Sequence, residues 1–381
     1  MGSINMHNKL TNTVTTLETP SDSDMKFKFP ECCRQPSSST SLPDRTIQVY
    51  TYKDQAVTIT VGNPEHNPDF TTLGSALEYA ASIRYTNETC KNFTNPDNVK
   101  KTFNSDKPSV TILLKTGWVM KEVIFIDNQN LSKIRIKTET ETIISREAIQ
   151  NIGKNAPTGK TWWMYAAFML HKSKGPELEG RFTMDESGIV ENSKINGWEH
   201  PEIVYMDNGS ELTIVGGSKL KGGWYCIFIS QSKLEASNVT FQANKYTVQN
   251  IRVDGNSNVR LTSSVFEGPE GGVQNYYNGW QSAHWLKNER CGLFLGLGQT
   301  NSYGMIFKNL EVGIVVAGFQ TLSVTTFENI SKWCFQYYCP FFISCNPKLV
   351  NTPESKFTNC GVGLNGPTVS GRGTIIGNKW S

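Results

Sequence analysis

The chain has 381 residues, of which 38% are hydrophobic and 19% are charged. Its 37 basic and 34 acidic residues give a formal net charge of +3 at pH 7, so it lacks the basic surplus of a dedicated nucleic-acid-binding protein. The hydrophobic content excludes wholesale disorder, and no apolar run approaches the ~18 residues of a membrane span. We therefore expect a globular chain that binds no nucleic acid and has no membrane span.

Residues 1–44 are polar and have no hydrophobic periodicity, which predicts an extended N-terminal arm. They contain no apolar h-region of a secretory signal peptide. The cysteine count is nine, and without a secretion signal this odd number indicates reduced thiols in a protein made in cytoplasm. Four of these cysteines lie close together in the sequence: Cys334, Cys339, Cys345 and Cys360. They lack C-x2-C spacing and an intervening histidine, so we interpret them as small buried residues and expect no metal and no cofactor.

After the arm the pattern changes to alternating strands, of which residues 57–61 (VTITV) are the clearest example. Residues 70–80 then place apolar side chains at helical spacing on one face. Asp69 or Thr71 can cap the N-terminus of this short amphipathic helix. The pattern predicts a first structural region at 45–109 that contains the helix.

Short strands dominate the rest of the chain, beginning with VTILL at 110–114. Residues 150–202 interrupt this pattern, since they show little alternation and contain two adjacent tryptophans. We interpret 110–381 as one β domain with an excursion at about 150–202.

The second half of the chain contains a degenerate repeat. Residues 232–241 (SKLEASNVTF) resemble residues 257–266 (SNVRLTSSVF) at an offset of 25. A Phe-x-Asn element then recurs in three segments: 305–309 (MIFKN), 325–329 (TTFEN) and 355–359 (SKFTN). Irregular periods of roughly 20–30 residues are typical of a solenoid with variable loops. An asparagine after the Phe suits a left-handed turn position, and its side chain can form a ladder between successive coils.

An antiparallel β-sandwich also has many short strands and is the alternative fold. The shared x-F-x-N element favours the solenoid, because each repeat can then bury its Phe against the next one.

Two segments carry a family resemblance. Residues 69–77 (DFTTLGSAL) and 110–119 (VTILLKTGWV) resemble the start of a right-handed parallel β-helix of the pectate-lyase-like superfamily, of the type found in bacteriophage tailspikes and tail fibres. The resemblance spans roughly residues 57–376 but is specific only at this start. It implies an all-β, right-handed parallel β-helix (solenoid) whose amphipathic helix caps the open end of the core.

The resemblance also implies a function. The chain would be a structural component of a bacteriophage tail, either a tailspike, a tail fibre or an associated spike or adaptor, and would form a homotrimer. Residues 1–44 would attach it to other tail or baseplate proteins. It would be made in host cytoplasm and reside in the virion tail, where it can contact host surface polysaccharide. No trimerisation module follows the last predicted strand, which favours a compact structural role over depolymerisation.

The alternative function is a polysaccharide-degrading enzyme, a glycoside hydrolase or a lyase, on the same fold. Such members of the superfamily use paired carboxylates on the outer face of the coils. Asp254, Glu267 and Glu270 form the densest acidic group near the repeats. If one coil is as long as the repeat, 267–270 stack next to 242–245 and Asp254 lies on another face. We therefore interpret Glu267 and Glu270 as solvated loop carboxylates.

A lyase would instead need a basic residue near its substrate. Three arginines are candidates by residue type only: Arg252, Arg260 and Arg290. Three histidines are isolated from one another and are expected to have structural or exposed roles: His171, His200 and His284.

Aromatic residues concentrate in the predicted loops and excursions. The most prominent are Trp162, Trp163, Trp198, Trp224, Tyr276, Tyr277, Trp280 and Trp285. Exposed rings can stack on sugars, but aromatic residues are also enriched at protein interfaces, and we favour contacts between subunits. The apolar run 334–343 (CFQYYCPFFI) is expected to be buried on both sides or at a subunit interface.

Overall fold

The structure is a computed structural model, and it describes these residues: 3–7, 14–18, 51–53, 56–85, 110–149, 166–187, 201–276, 290–296, 299–316, 319–337, 348–351, 355–360, 362–365, 369–370 and 374–376. Most of them form β-strands, and the sheets are predominantly parallel. The prediction of an all-β chain is therefore confirmed. Within these ranges, no helix is long and apolar enough to cross a bilayer.

Three parallel sheets, here called A, B and C, contain nearly all of the strands. Sheet A has nine described strands: Ile124–Asp127, Ala166–His171, Glu202–Asp207, Tyr225–Ser230, Gln249–Asp254, Cys291–Leu295, Val312–Val316, Trp333–Tyr337 and Val362–Asn365. Sheet B contains Val57–Val61, Val110–Leu114, the first part of Ile134–Ile144, the first part of Glu177–Met184, Glu211–Ile214, Lys233–Ser237, Asn258–Thr262, Gln299–Tyr303, Phe319–Ser323, Lys348–Asn351 and Val369–Ser370. Sheet C contains Val119–Met120, the second parts of the two long strands, Lys219–Lys221, Thr240–Gln242, Val265–Glu267, Ile306–Lys308, Thr326–Glu328, Lys356–Thr358 and Thr374–Ile376.

The chain visits the sheets in a fixed order, A then B then C, and then begins the next unit in sheet A. Each strand pairs in parallel with the equivalent strand of the next unit. Lys233 lies opposite Asn258 and Phe241 lies opposite Phe266, which is the same offset as that of the repeat in the sequence. The predicted repeat is therefore confirmed.

A column of stacked phenylalanine rings runs through the core beneath sheet C. The ring centroids of Phe241, Phe266, Phe307, Phe327 and Phe357 follow one another at 5.3, 4.6, 5.2 and 5.2 Å. All five side chains are buried. In-register pairing places each ring on its equivalent, and the offset stacking adds to the free energy gained by burying the rings.

The asparagine of the Phe-x-Asn element occupies the predicted turn. Asn309, Asn329 and Asn359 have φ values of 57°, 53° and 50°, which are left-handed conformations. Asn329 Nδ2 donates to Asn309 Oδ1 (3.1 Å), and Asn359 Nδ2 donates to Asn329 Oδ1 (3.2 Å). Both the turn conformation and the side-chain ladder predicted from the sequence are confirmed.

A second ladder consists of buried serines where the chain turns from sheet A to sheet B. The backbone N–H of Ser173 donates to Ser210 Oγ (3.2 Å), that of Ser210 to Ser232 Oγ (3.2 Å), and that of Ser232 to Ser257 Oγ (3.3 Å). Each hydroxyl therefore satisfies a buried backbone donor of the preceding unit, which would otherwise be costly.

One α-helix, Leu73–Ser82, packs against the first two strands of sheet B. Its apolar face is buried, as the periodicity predicted. Glu122 holds the helix N-terminus, since its two carboxylate oxygens accept from the backbone N–H groups of Leu73 (2.7 Å) and Gly74 (3.1 Å). This contact ties the helix to the segment between Val119–Met120 of sheet C and Ile124–Asp127 of sheet A, in addition to the sheet B strands that it covers.

The predicted helix cap was wrong. The N-cap is Thr72, whose Oγ1 accepts from the backbone N–H of Ser75 (3.4 Å). Asp69 is not available as a cap, because its carboxylate accepts from both the backbone N–H (2.7 Å) and the hydroxyl (2.8 Å) of Thr60.

The predicted excursion at 150–202 needs a correction. Residues 166–187 hold the strands Ala166–His171 and Glu177–Met184, which pair with neighbours in all three sheets. Their alternation was obscured because almost every residue of the first strand is apolar. Residues 150–165 and 188–200 lie outside the described residues.

Four smaller strands and two 3-10 helices complete the described elements. Ser3–His7 pairs antiparallel with Val14–Glu18 within the predicted arm, and the rest of 1–44 lies outside the described residues. Thr51–Lys53 pairs in parallel with Ile83–Tyr85. The 3-10 helices are Pro64–His66 and Val273–Asn275.

The asparagine ladder provides a test of the fold. We expect both Asn329→Ala and Asn329→Gly to lower the free energy of unfolding, because each removes the amide ladder. The alanine variant should be the less stable by about 1–2 kcal/mol, since a left-handed conformation strains a residue with a Cβ. Urea unfolding measures the difference. The control variant is Asn256→Ala, which changes an exposed bend residue. Equal stability of the two Asn329 variants would contradict the left-handed conformation assigned to Asn329.

Candidate functional site on the outer face of sheet A

The outer faces of the three sheets differ in chemistry. On sheet B the outward side chains form ion pairs, such as those of Arg135 with Glu177 (2.8 Å) and Glu179 (3.0 Å). Sheet A instead presents a row that is mostly aromatic and apolar. The strand register aligns its members, here called the aromatic column: Phe125, Met169, Tyr205, Phe228, Arg252, Phe294 and Val315.

The alternation of each strand places this column on the outer face. Ile227 and Ile229 are buried in the core, so Phe228 between them points to the opposite side of the sheet. Its ring stacks on Tyr205 with centroids 5.2 Å apart and planes 3° from parallel. The register that forms the core therefore also forms the column.

Arg252 is the charged member of the aromatic column. Its guanidinium carbon lies 5.7 Å from the ring centroid of Phe228 and 4.8 Å from that of Phe294, which is the range of cation–π contact. Its Nε donates to Asp254 Oδ2 (2.7 Å), and one terminal nitrogen donates to the hydroxyl of Tyr225 (3.4 Å). These contacts hold the guanidinium in one orientation between two rings.

Glu202 and Gln249 lie at the starts of their strands, on either side of the strand that begins with Tyr225. Both side chains are buried. Glu202 Oε2 and both polar atoms of Gln249 have no hydrogen-bond partner among the described residues. Burial raises the pKa of Glu202, and the charge on Arg252 opposes this only in part. Buried polar atoms normally bind a partner, so these atoms mark positions where a polar ligand can be recognised.

A polar row runs beside the aromatic column near the ends of the same strands. It consists of Asp127, His171, Asp207, Ser230 and Asp254. His171 Nδ1 lies 2.6 Å from Asp207 Oδ1, and the Tyr205 hydroxyl donates to Asp207 Oδ2 (3.5 Å). Asp207 and Asp254 are two strands apart, which is about 10 Å along the stack.

Gly296 leaves room for the carboxylate of Asp254. A Cβ at this position would lie 2.6 Å from Asp254 Oδ1 and 3.1 Å from the carbonyl oxygen of Val253. A side chain here would displace Asp254 from Arg252, so the glycine helps to position the ion pair.

A second acid of raised pKa, the half-buried Glu186, lies beyond the end of the sheet C strand Glu177–Met184. Burial raises the pKa of Glu186 to about 8, although Lys245 and Lys221 act in the opposite direction. Its Oε1 has no hydrogen-bond partner among the described residues. Glu202 and Glu186 are therefore both protonated more readily than an exposed glutamate.

The structure separates the three acids singled out from the sequence. Asp254 lies in the candidate site. Glu267 is on the outer face of sheet C, paired with Lys308 (3.1 Å), and Glu270 is in an exposed loop, paired with Lys221 (3.3 Å). Gln242 lies opposite Glu267, so the predicted stacking of these two positions and the predicted separation of Asp254 are confirmed.

Two of the eight aromatic candidates are described. Trp224 is partly buried, with its ring edge-on to Tyr225 at 6.3 Å. Tyr276 is buried within the chain, and the guanidinium carbon of Arg290 lies 4.9 Å from its ring centroid. The other six lie outside the described residues: Trp162, Trp163, Trp198, Tyr277, Trp280 and Trp285. In sequence, all eight fall between a sheet C strand and the following sheet A strand.

Sequence reasoning missed several residues of the site. His171 was expected to have a structural or exposed role, and its pairing with Asp207, which is 36 residues away in the sequence, was not predicted. His200 and His284 lie outside the described residues. Arg252 was identified by residue type only, and Glu202 was not identified. Extending the repeat alignment backwards would have helped, since residues 205–207 (YMD), 228–230 (FIS) and 252–254 (RVD) occupy equivalent positions.

The site combines the groups needed to recognise a polar, ring-shaped ligand. Aromatic faces can stack on sugars, a fixed cation can pair with an acidic group, and a protonated glutamate can donate a hydrogen bond or a proton. In the described part of the chain, no group of three or more His, Cys, Asp or Glu side chains is arranged to hold a metal ion.

Comparison of the chain with family models, with characterised proteins and with solved structures found no match. The inferences about function therefore depend on the sequence resemblance and on the geometry described above.

The raised pKa of Glu202 predicts a pH dependence of stability. The folded protein retains a proton on Glu202 that the unfolded chain releases above about pH 4.5, so this group's contribution to stability should be lost as pH rises through its folded pKa. Glu202→Gln carries no such proton. The free energy of unfolding of this variant should therefore vary less with pH than that of the wild type. The slopes of the two pH profiles should differ by at most ~1.4 kcal/mol per pH unit.

Urea unfolding at several values between about pH 5 and pH 8 measures this difference. Glu186→Gln provides a second comparison, since the pKa of Glu186 is about 8 and its effect should extend to that pH. Parallel pH profiles for the wild type and Glu202→Gln would contradict the assignment.

Proposed function

We propose that this chain is a right-handed parallel β-helix and a structural component of a bacteriophage tail, as a tailspike, a tail fibre or a tail-associated spike or adaptor. One observation carries the proposal, namely the in-register stacking of three parallel sheets around a single apolar core. The helix over the first strands of sheet B supports it, because that is where the resembling β-helices have their capping helix.

The stacking suits a protein that must stay straight and rigid. Nine strands at the usual spacing of parallel sheets extend for about 38 Å. Backbone hydrogen bonds fix the units to one another along the stack, and the phenylalanine, asparagine and serine columns each add contacts over part of it. In this proposal the chain forms a homotrimer, and residues 1–44 attach it to other tail or baseplate proteins.

The oligomeric state can be tested by light scattering on the purified full chain. We expect a mass three times that of the single chain, which is 42.6 kDa. Removal of residues 1–44 should leave three chains together, because the arm serves attachment and not assembly. A monomeric mass for both the full chain and the chain without residues 1–44 would contradict the proposed homotrimeric spike.

The tail assignment needs its own measurement. Antibodies against the purified chain should label the tails of phage particles released from the host that carries the gene. Detection of the chain in the lysate without any label on particles would contradict a virion role, whatever the oligomeric state.

The outer face of sheet A favours a second candidate function, polysaccharide cleavage on the same fold. Inverting glycoside hydrolases pair a carboxylic acid of raised pKa with a second carboxylate. Glu202 can supply the acid, and Asp207 or Asp254 can supply the base. The aromatic column supplies stacking surfaces beside them, and Arg252 can bind an acidic sugar.

Release of reducing ends from purified bacterial surface polysaccharides tests this candidate. We expect Glu202→Gln and Asp254→Asn to lower the rate about 100-fold or more, as loss of an acid or base does. Glu267→Gln is the matched control, since this residue lies on sheet C and should leave the rate unchanged. Equal losses in all three variants, or no turnover by the wild type, would contradict an active site here.

A further inference from the structure

The starts of three neighbouring strands of sheet A bring polar side chains together. These strands begin at Glu202, Tyr225 and Gln249. Backbone hydrogen bonds join the starts in that order, since the N–H of Trp224 donates to the carbonyl oxygen of Pro201 (3.3 Å) and the N–H of Val248 donates to that of Trp224 (3.0 Å). The three side chains are therefore fixed at successive strand spacings of roughly 4.8 Å.

Gln249 lies on the outer face of the sheet, as its two neighbours show. The register pairs Gln249 with Tyr225 on one side and with Cys291 on the other. The Tyr225 hydroxyl accepts a hydrogen bond from Arg252 of the aromatic column (3.4 Å). Cys291 belongs to a small apolar cluster with Phe294, which is also in the column, and this cluster is separate from the core cluster. The side chain between these two neighbours therefore faces the column.

Three polar atoms of this group have no hydrogen-bond partner in the part of the chain that the structure describes. They are Oε1 and Nε2 of Gln249 and Oε2 of Glu202. The exposed fraction is 0% for Gln249 and 7% for Glu202, so bulk water does not replace the missing partners. Unpaired atoms of this kind cost stability, and a bound polar group would recover that cost.

The spacing of the two side chains suits one amide group. Glu202 and Gln249 are two strand spacings apart, which is roughly 10 Å at the backbone. A trans amide with a hydrogen bond at each end spans roughly 7–8 Å, because its N–H and C=O point in opposite directions, whereas a hydroxyl with two hydrogen bonds spans at most roughly 5.5 Å. Tyr225 stands between the two side chains and limits how far they lean toward each other. An amide therefore bridges them with less distortion than a hydroxyl requires.

The chemistry of the unpartnered atoms also matches an amide. Gln249 Oε1 can accept from the amide N–H. Burial raises the pKa of Glu202, so its neutral carboxyl can donate to the amide carbonyl oxygen. Gln249 Nε2 can then donate to a ring or hydroxyl oxygen of the same ligand, while the stacked rings of Tyr205 and Phe228 offer a flat apolar surface beside it. These groups together favour an amide that is carried by a sugar ring.

We propose that Gln249 and Glu202 bind the acetamido group of an N-acetylated amino sugar, whose ring lies against the aromatic column. This inference rests on the polysaccharide contact of the proposed function, and it names the sugar that the outer face of sheet A selects. It requires binding and not cleavage, since Glu202 serves by donating a hydrogen bond.

Entry of the acetamido group depends on Tyr225. The ring of Tyr225 packs against Trp224 (centroids 6.3 Å apart) and Phe228 (5.8 Å), and these two residues and Arg252 are partly exposed. The unpartnered atoms therefore lie about one side chain below the surface. The hydrogen bond from Arg252 to the Tyr225 hydroxyl is long, at 3.4 Å, so its loss costs little when Tyr225 turns aside. The acetyl methyl group then packs against the Tyr225 ring.

Saturation-transfer NMR with the full chain tests the proposal. The probes are the methyl glycosides of N-acetylglucosamine and N-acetylgalactosamine, compared with those of glucose and galactose. We expect the N-acetylated sugars to bind at least about tenfold more tightly, because the other sugars lack the amide. The acetyl methyl protons should receive the strongest saturation, since they lie deepest in the site.

Substitutions test the role of each side chain. Gln249→Met keeps the size of the residue and removes both polar atoms, so the affinity for N-acetylated sugars should fall at least about tenfold. The matched control Gln242→Met changes another buried glutamine, on sheet C, and should leave the affinity unchanged. Glu202→Gln should retain binding because its amide still donates a hydrogen bond, whereas Glu202→Met should lose it.

Thermal unfolding provides an independent measurement for Gln249. Both amide atoms lack a partner among the described residues, so Gln249→Met should melt at the temperature of the wild type or above it. A melting temperature several degrees lower would show that the amide already serves the fold, and it would overturn the proposal.

Three binding results would also overturn the proposal. Equal binding of acetylated and unacetylated sugars would do so and would leave the polysaccharide contact of the proposed function intact. Tighter binding of N-acetylalanine methylamide, which carries an amide without a sugar ring, would indicate a peptide ligand instead. The third result is binding of none of these probes. The labelling of phage tails depends on none of these measurements, so failure of this inference is distinguishable from failure of the proposed function.

Discussion

In-register parallel pairing is the constraint on which the rest of this structure depends. The hydrogen bonds between strands hold each residue against its equivalent in the next unit, so every position of the repeat becomes a column. Apolar equivalents then fill the core, as Phe266 and Phe307 do. Equivalent residues on the outer faces lie as close to one another as those in the core do. Opposite charges such as Glu235 and Arg260 on sheet B therefore stabilise the register. The aromatic column on sheet A is a product of the same rule.

The register is independent of the length of a unit. Phe266 and Phe307 are about twice as far apart in the sequence as Phe307 and Phe327, and yet each ring of the phenylalanine column lies directly opposite the next. Long connections are tolerated because a loop that leaves and rejoins the stack adds little entropic cost for each extra residue. A strict sequence period is therefore absent, although the spatial repeat is regular.

This difference explains which features could be predicted. The phenylalanine stack and the left-handed asparagines repeat along the chain, so self-similarity reveals them. Features that depend on a single contact between residues far apart in the sequence produce no such repeat. Glu122 reaches a helix N-terminus that is 49 residues earlier in the sequence, and His171 meets Asp207 only because two strands are neighbours. The predicted cap at Asp69 was wrong for the same reason, since Thr60 had already engaged that carboxylate.

The candidate site and the core use opposite faces of the same strands. Ile227 and Ile229 face inward, whereas Phe228 faces outward and contacts Arg252. A partly buried guanidinium such as that of Arg252 is stabilised by its carboxylate and aromatic partners, and rigid strands hold these partners more precisely than loops do. Because outward residues contribute little to the inner columns, they can change while the packing of the core is kept. The fold therefore supports the site but does not specify it, so the chemistry of the outer face of sheet A must be tested by substitutions on that face.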